Sequence, residues 1–178
     1  LLAYQWLFPG KPMLFMGDEF GQSVEWTADG ELDWWLLDAG PYHRGLQQFV
    51  GDLNKLYLAE TALWQSDYDL AGFAWIDCSD HENCVLAFLR QDAGRRSELV
   101  VILNLTPAPR HNYRFGLPRP GHWSEVLNSD AAVYGGSNAG NLGGVVAEDV
   151  PWQHHSCSAT FTLPPLSVIV FRPERGAS

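Results

Sequence analysis

After Thr61 the chain breaks into seven short apolar segments separated by turn residues, and this pattern limits the fold more than any other feature. The segments are FAWID (73–77), CVLAFLR (84–90), ELVVILNL (98–105), HNYRFGL (111–117), HWSEVLN (122–128), SATFTL (158–163) and SVIVFR (167–172). Each is rich in β-branched or aromatic residues and has the length of a strand. Prolines at 107, 109, 118, 120, 151, 164 and 165 fall at the segment borders, where a missing N–H does least harm to a ladder. Seven strands joined by turns predict an antiparallel β-sandwich, whose two inner faces supply a core of its own.

The first 60 residues have a different texture. LLAYQWLF (1–8) reads as the apolar end of a helix stopped by Pro9 and Gly10, with no capping residue ahead of it, so the chain is expected to begin inside a larger structure. PMLFM (12–16) is continuously apolar, which predicts a strand covered on both faces, as in a parallel sheet. From His43 to Glu60, Leu46, Phe49, Val50, Leu53, Leu56 and Tyr57 fall at the three-and-four spacing of an amphipathic helix. Helix, strand, loop and helix in that order form the tail of an alternating α/β array, too short to be a domain alone. Left without neighbours, such a piece would expose an unpaired edge and an apolar face.

Directly after PMLFM come Gly17, Asp18, Glu19, Phe20 and Gly21. Glycine-flanked acids just past a buried parallel strand lie at the rim where barrels and doubly wound sheets bind ligands. The plainer reading is that these acids cap neighbouring amides or pair with a cation. Residues 22–42 then hold three tryptophans and five carboxylates around an Asp29-Gly30 turn. Flat indole faces beside carboxylate acceptors suit sugars, and Glu25 with Trp26 is the ligand-facing pair. Trp34, Trp35, Leu36 and Leu37 have the alternative role of anchoring the loop, and Trp35 is read that way. The Gly- and Asn-rich stretch 128–144 is a loop, either structural or in contact with carbohydrate. Trp64 and Trp123 have the same two readings, platform or core.

A formal net charge of -10 and a pI near 4.8 set a field that repels phosphate backbones and anionic headgroups, against a nucleic-acid or membrane partner. No run of about 18 apolar residues and no export leader is present, so the expected compartment is cytoplasmic. Cys78, Cys84 and Cys157 are odd in number and lack C-x-x-C spacing, which predicts reduced, partly buried thiols. The adjacent His154 and His155 diverge and have no acidic companion, so no metal site is expected there.

The run MGDEFGQ (16–22), EW (25–26) and LDWWLL (32–37) resembles the segment at the eighth strand of α-amylase-superfamily barrels, in the form found in 1,4-α-glucan (glycogen) branching enzymes. HRGLQQFVGDLNKLY (43–57), AGFAWID (71–77), NLTPAPRHNYRFGLP (104–118), EVLNSDAAVYGGSNAGN (125–141) and LPPLSVIVFR (163–172) are similar to the same family, so the resemblance spans nearly the whole chain. The arginine-bearing, asparagine-rich segment of related debranching enzymes is absent. SDYDLAGF (66–73) lacks the proline the family commonly has there.

The resemblance implies a mainly all-β chain. Residues 1–60 would be the incomplete C-terminal end of a catalytic (β/α)8 barrel, with its last strand-helix unit, and residues 61–178 a C-terminal antiparallel β-sandwich. It implies a transferase that cuts an α-1,4-glucan and rejoins the piece to a 6-hydroxyl by retaining double displacement, without metal or organic cofactor. The partners would be an α-glucan and the rest of the chain's own barrel. The family's catalytic acids have no match here, and adjacent Asp18 and Glu19 cannot straddle a bond at the roughly 5 Å that retention demands. Substrate binding would fall to Glu19, Gln22, Glu25, Trp26, Asp33 and Trp34. The alternative is a noncatalytic carbohydrate-binding or structural β-sandwich of another α-amylase-superfamily enzyme.

Overall fold

In a computed structural model that describes residues 1–174, all seven expected strands form. They are β1 (Phe73–Asp80), β2 (Val85–Gln91), β3 (Glu98–Asn104), β4 (Arg110–Leu117), β5 (Gly121–Asn128), β7 (Cys157–Leu163) and β8 (Ser167–Pro173). An eighth, β6 (Gly144–Ala147), follows the glycine-rich loop and was not anticipated. Its Val145-Val146 pair is too short a signal beside five glycines, and it forms because β5 offers it an edge. One sheet has the order β1-β2-β3-β8-β5-β6, with every neighbour antiparallel, and β4 pairs with β7 in a second sheet.

The six-stranded sheet is covered on both faces. Alternate residues of β3 and β8 (Val100, Ile102, Ile169, Phe171) meet Phe115, Phe161 and the fully buried Trp123 in the core between the sheets. The intervening ones (Leu99, Val101, Val168, Val170) face the two helices, α1 (Leu2–Leu7) and α2 (Pro41–Ala59). Period-two alternation therefore feeds two cores from one strand, and β3 is buried along its whole length. From α1 come Ala3, Trp6 and Leu7; from α2 come Phe49, Val50 and Leu53, on the stripe the spacing predicted. Gly45 of α2 is required: a Cβ there would lie 2.5 Å from the carbonyl oxygen of Tyr134, at the close crossing of helix and glycine-rich loop.

That loop is structural. Asp130 accepts hydrogen bonds from the Ser137 and Ala139 N–H groups, at 3.0 and 3.1 Å. Tyr134 packs edge-on against Phe49 and donates to Asp52 Oδ2 at 2.8 Å. Burial first, and the Asp52 carboxylate second, push the Tyr134 phenol above its ordinary pKa.

Polar clasps join the helices to the sheet. The fully buried Arg90 of β2 donates to Leu7 O at 2.9 Å, closing the end of α1, and to Leu63 O at 3.1 Å. It also pairs with Asp67, itself without exposed side-chain surface, at 2.6 Å. The second oxygen of Asp67 holds Lys11 at 2.9 Å. Burial pulls the Arg90 guanidinium down from its ordinary pKa while Asp67 opposes that shift. Further along, Glu60 at the end of α2 accepts from Ser97 Oγ at 2.7 Å and pairs with Arg172 at 2.6 Å.

Residues 12–16 differ from expectation. They form no ladder with any described residue and are irregular, with Met13, Phe15 and Met16 half or more exposed. A strand exists only where a partner satisfies its N–H and C=O groups, and no strand of the sandwich offers that edge. The thiols also divide unevenly: Cys157 is buried, which raises its pKa, while Cys78 and Cys84 are exposed. Among the described residues no helix is long and apolar enough to cross a membrane, and no group of three or more His, Cys, Asp or Glu could hold a metal ion.

Two substitutions, one of the Asp67 carboxylate and one of its exposed partner, separate a buried ion pair from an exposed one. Asp67→Asn, which strands Arg90, is expected to cost about 3–5 kcal/mol in urea unfolding. Lys11→Ala, removing a partner whose side chain is 57% exposed, should leave the urea midpoint close to that of the wild type.

Candidate functional site

The acidic tip after residue 16 is built by two glycines in left-handed backbone. Gly17 (φ 95°) and Gly21 (φ 71°) bracket a 3-10 turn at Asp18–Phe20. Asp18 is consumed locally, because its Oδ2 accepts the N–H of Phe15 at 3.0 Å. Capping of a backbone amide is thus its role. Phe20 is fully buried and His43 Nδ1 lies 2.8 Å from its carbonyl oxygen, which ties the turn to the first coils of α2.

Gln22 organises the loop that follows. Its Nε2 donates to Val24 O and its Oε1 accepts the N–H of Asp33, both at 2.8 Å, so one side chain spans eleven residues. Gly17 leaves room for it, since a Cβ there would sit 2.9 Å from that of Gln22. A second 3-10 turn, Trp34–Asp38, then leads into α2.

Two indoles are held by ring partners and left partly open. Trp26 meets Phe15 edge-on at 5.5 Å and is 39% exposed; Trp34 tilts over Phe20 at 4.9 Å and is 48% exposed. Gln22, Asp33 and Trp34 are therefore brought together, while Trp26 stands with Phe15. Glu19 is half-buried and Glu25 exposed, and among the described residues neither makes a side-chain hydrogen bond or ion pair. Trp35, read as the anchor, is 64% exposed; Leu36 is the buried residue of that turn. Sequence reasoning did not assign Phe15 and Phe20 as ring supports. For Phe20, the signal was a single aromatic between a glycine-flanked acid pair and a tryptophan-rich loop.

Chemically, the arrangement offers two indole platforms, an exposed carboxylate and a half-buried one. Of the two sandwich tryptophans read as platform or core, Trp123 is fully buried with Nε1 donating to Arg119 O at 3.2 Å and belongs to the core, while Trp64 is 40% exposed.

Comparison with known proteins bears on both halves. The model of the alpha amylase C-terminal all-beta domain matches residues 75–174. The 1,4-alpha-glucan branching enzyme GlgB of Aromatoleum aromaticum is 56% identical over 174 residues, covering 98% of this chain and 27% of that protein. The GlgB proteins of Aquifex aeolicus and Leifsonia xyli are 48% and 51% identical, each over 98% of this chain and over 28% and 24% of their own lengths. The chain thus spans about a quarter of the length of these relatives. Among solved structures, an alpha-amylase from H. orenii shares the fold with a TM-score of 0.58 and 17% identity, covering 97% of this chain and 34% of that one. The mainly antiparallel architecture and the match over residues 75–174 agree: the chain belongs to the alpha amylase C-terminal all-beta domain family.

Proposed function

We propose that this chain is the C-terminal part of a 1,4-α-glucan branching enzyme, which moves an α-1,4-glucan segment to a 6-hydroxyl and so makes an α-1,6 branch. The observation that carries this reading is 56% identity to a GlgB along 98% of the chain. Its substrate is an α-glucan and its compartment the cytoplasm. Residues 1–60 complete the end of a catalytic barrel and residues 61–178 form the appended sandwich. The unpaired apolar run 12–16 supports this division, since barrel neighbours would supply its missing ladder partners and cover Met13 and Met16.

In this reading the acid, nucleophile and stabilising carboxylates of the retaining reaction lie on barrel strands outside these 178 residues. The chain's own contribution is binding. Trp26 and Trp34 present ring faces to sugar C–H patches, Glu19, Glu25 and Asp33 accept from hydroxyls, and Gln22 fixes the distance between the two indoles.

The full-length protein, incubated with amylose, is expected to yield product whose chains are released by an α-1,6-specific debranching enzyme. Shortened linear chains with new reducing ends and no such branches would reject the reading. Trp26→Ala in that protein should raise KM for amylose about tenfold, equivalent to 1.4 kcal/mol of lost binding. Gln22→Ala removes two hydrogen bonds, and at about 1 kcal/mol or more in total it should speed amide exchange at Asp33 at least fivefold while leaving the sandwich amides unchanged.

A further inference from the structure

A second feature shares no residue with the acidic tip and lies where the two sheets of the sandwich meet. Where β1, at the edge of the large sheet, passes β4 of the small one, a groove of about 570 Å³ opens. It is lined by Asp77, Ser79 and Asp80 of β1, by Asn112, Tyr113 and Arg114 of β4, and by Trp152 and Gln153.

Its wall is unusually constrained. Trp152 and His155 exchange both backbone hydrogen bonds, at 3.0 and 2.9 Å, closing a two-residue turn. The central residues, Gln153 (φ 48°) and His154 (φ 65°), both adopt left-handed backbone without being glycine. Asn112 across the groove does the same at φ 55°. Such conformations persist only where surroundings enforce them, and they cluster at ligand sites. Here the enforcing contacts are visible: Gln153 accepts the N–H of Gly116 at 3.0 Å and donates to Asp77 Oδ2 at 2.7 Å. The turn is pinned to both sheets, and its product is a firmly held Trp152 that is 48% exposed.

The chemistry of the lining selects the ligand. Asp77, Asp80, Glu148 and Asp149 make the neighbourhood acidic, and its cation, Arg114, is already engaged by Glu148 and Ser158, each at 2.7 Å. An anion is repelled. Asp77 Oδ1 and Asp80 Oδ1 each already take two donors, from Ser79 and Asn83, and among the described residues no group of three or more His, Cys, Asp or Glu gathers to hold a metal cation. Register shifts on both sides of Asp77 interrupt β1, which spoils the edge for an added peptide strand. A neutral ligand rich in hydroxyls fits: Asp77 Oδ2 and Asp80 Oδ2 each take one donor and retain acceptor capacity, the exposed Asn112 amide both donates and accepts, and the indole stacks on C–H faces.

We propose that this groove is a second, noncatalytic binding site for glucosyl residues of the same α-glucan, with Trp152 as its platform. It rests on the substrate class inferred above and extends it to a surface that would hold the polymer away from the reacting bond.

Affinity electrophoresis of the full-length protein through gels containing glycogen tests it. Trp152→Ala is expected to weaken retardation about tenfold, and Asn112→Gly, which keeps the left-handed backbone and removes only the amide, should weaken it about threefold. Tyr68→Ala, 90% exposed and outside the groove, should leave it unchanged. Maltoheptaose should slow amide exchange in residues 111–114 and 150–155 of the wild type but not of Trp152→Ala. A wild type that glycogen does not retard, retardation of both groove variants equal to wild type, or protection confined to residues 18–35 would overturn the proposal. Branch formation on amylose, assayed separately, decides the parent reading independently of the groove.

Discussion

The pair between Arg90 and Asp67 is the point through which the two halves of this chain are joined. Both side chains are withdrawn from water, and a guanidinium in that position is tolerable only when charge and hydrogen bonding are met together. Asp67 supplies the charge, and the carbonyls of Leu7 and Leu63 supply acceptors otherwise left open at the end of α1 and in the turn after α2. The Arg90 Nε is left buried without a partner among the described residues, a cost the other contacts must outweigh. Because Asp67 also takes Lys11, the chain entering the acidic tip is fixed to the same β2 residue.

From that junction follows the layering. An antiparallel sheet often leaves one face to water, but here α1 and α2 lie over β2, β3 and β8 while β4 and β7 cover the other side. Two hydrophobic cores share one set of strands. Removing the helices would therefore bare Phe88, Val101, Val168 and Val170 to solvent, and leave Glu60's partners Ser97 and Arg172 without their carboxylate. Residue 60 marks a change of texture in the sequence, yet in space the cores and clasps run straight across it.

This double burial explains what the sequence disclosed and what it did not. PMLFM and LVVIL are both continuous apolar runs, and the same rule read the first as a strand buried on two faces. The rule describes β3 well, because Phe88 on β2 and Val170 on β8 stand opposite Val101 and complete its ladders. It fails at residues 12–16 because an apolar pattern specifies the faces of a strand and says nothing about whether an edge is available to pair with. The amphipathic helix, by contrast, needs no partner to form its hydrogen bonds, and α2 appeared within two residues of its expected bounds. The seven strands were legible for another reason: turn residues fix where each must end.

The candidate site was legible in composition but not in its division of labour. Sequence placed acids and indoles at one tip; it did not distinguish Asp18, which caps Phe15, from Glu19, which makes no side-chain hydrogen bond among the described residues, since both lie on one 3-10 turn. It separates Trp34 from Trp35 but makes Trp35 the anchor, whereas these adjacent rings point apart, Trp34 onto Phe20 and Trp35 outward. The same limit applies at Trp152. Nothing in PWQHHS signals a left-handed pair of residues, because the force that imposes it comes from Asp77 and Gly116, 76 and 37 positions away from Gln153. Where backbone strain is sustained by such distant contacts, the local sequence carries no trace of it, and the displayed ring is a property of the assembled sandwich alone.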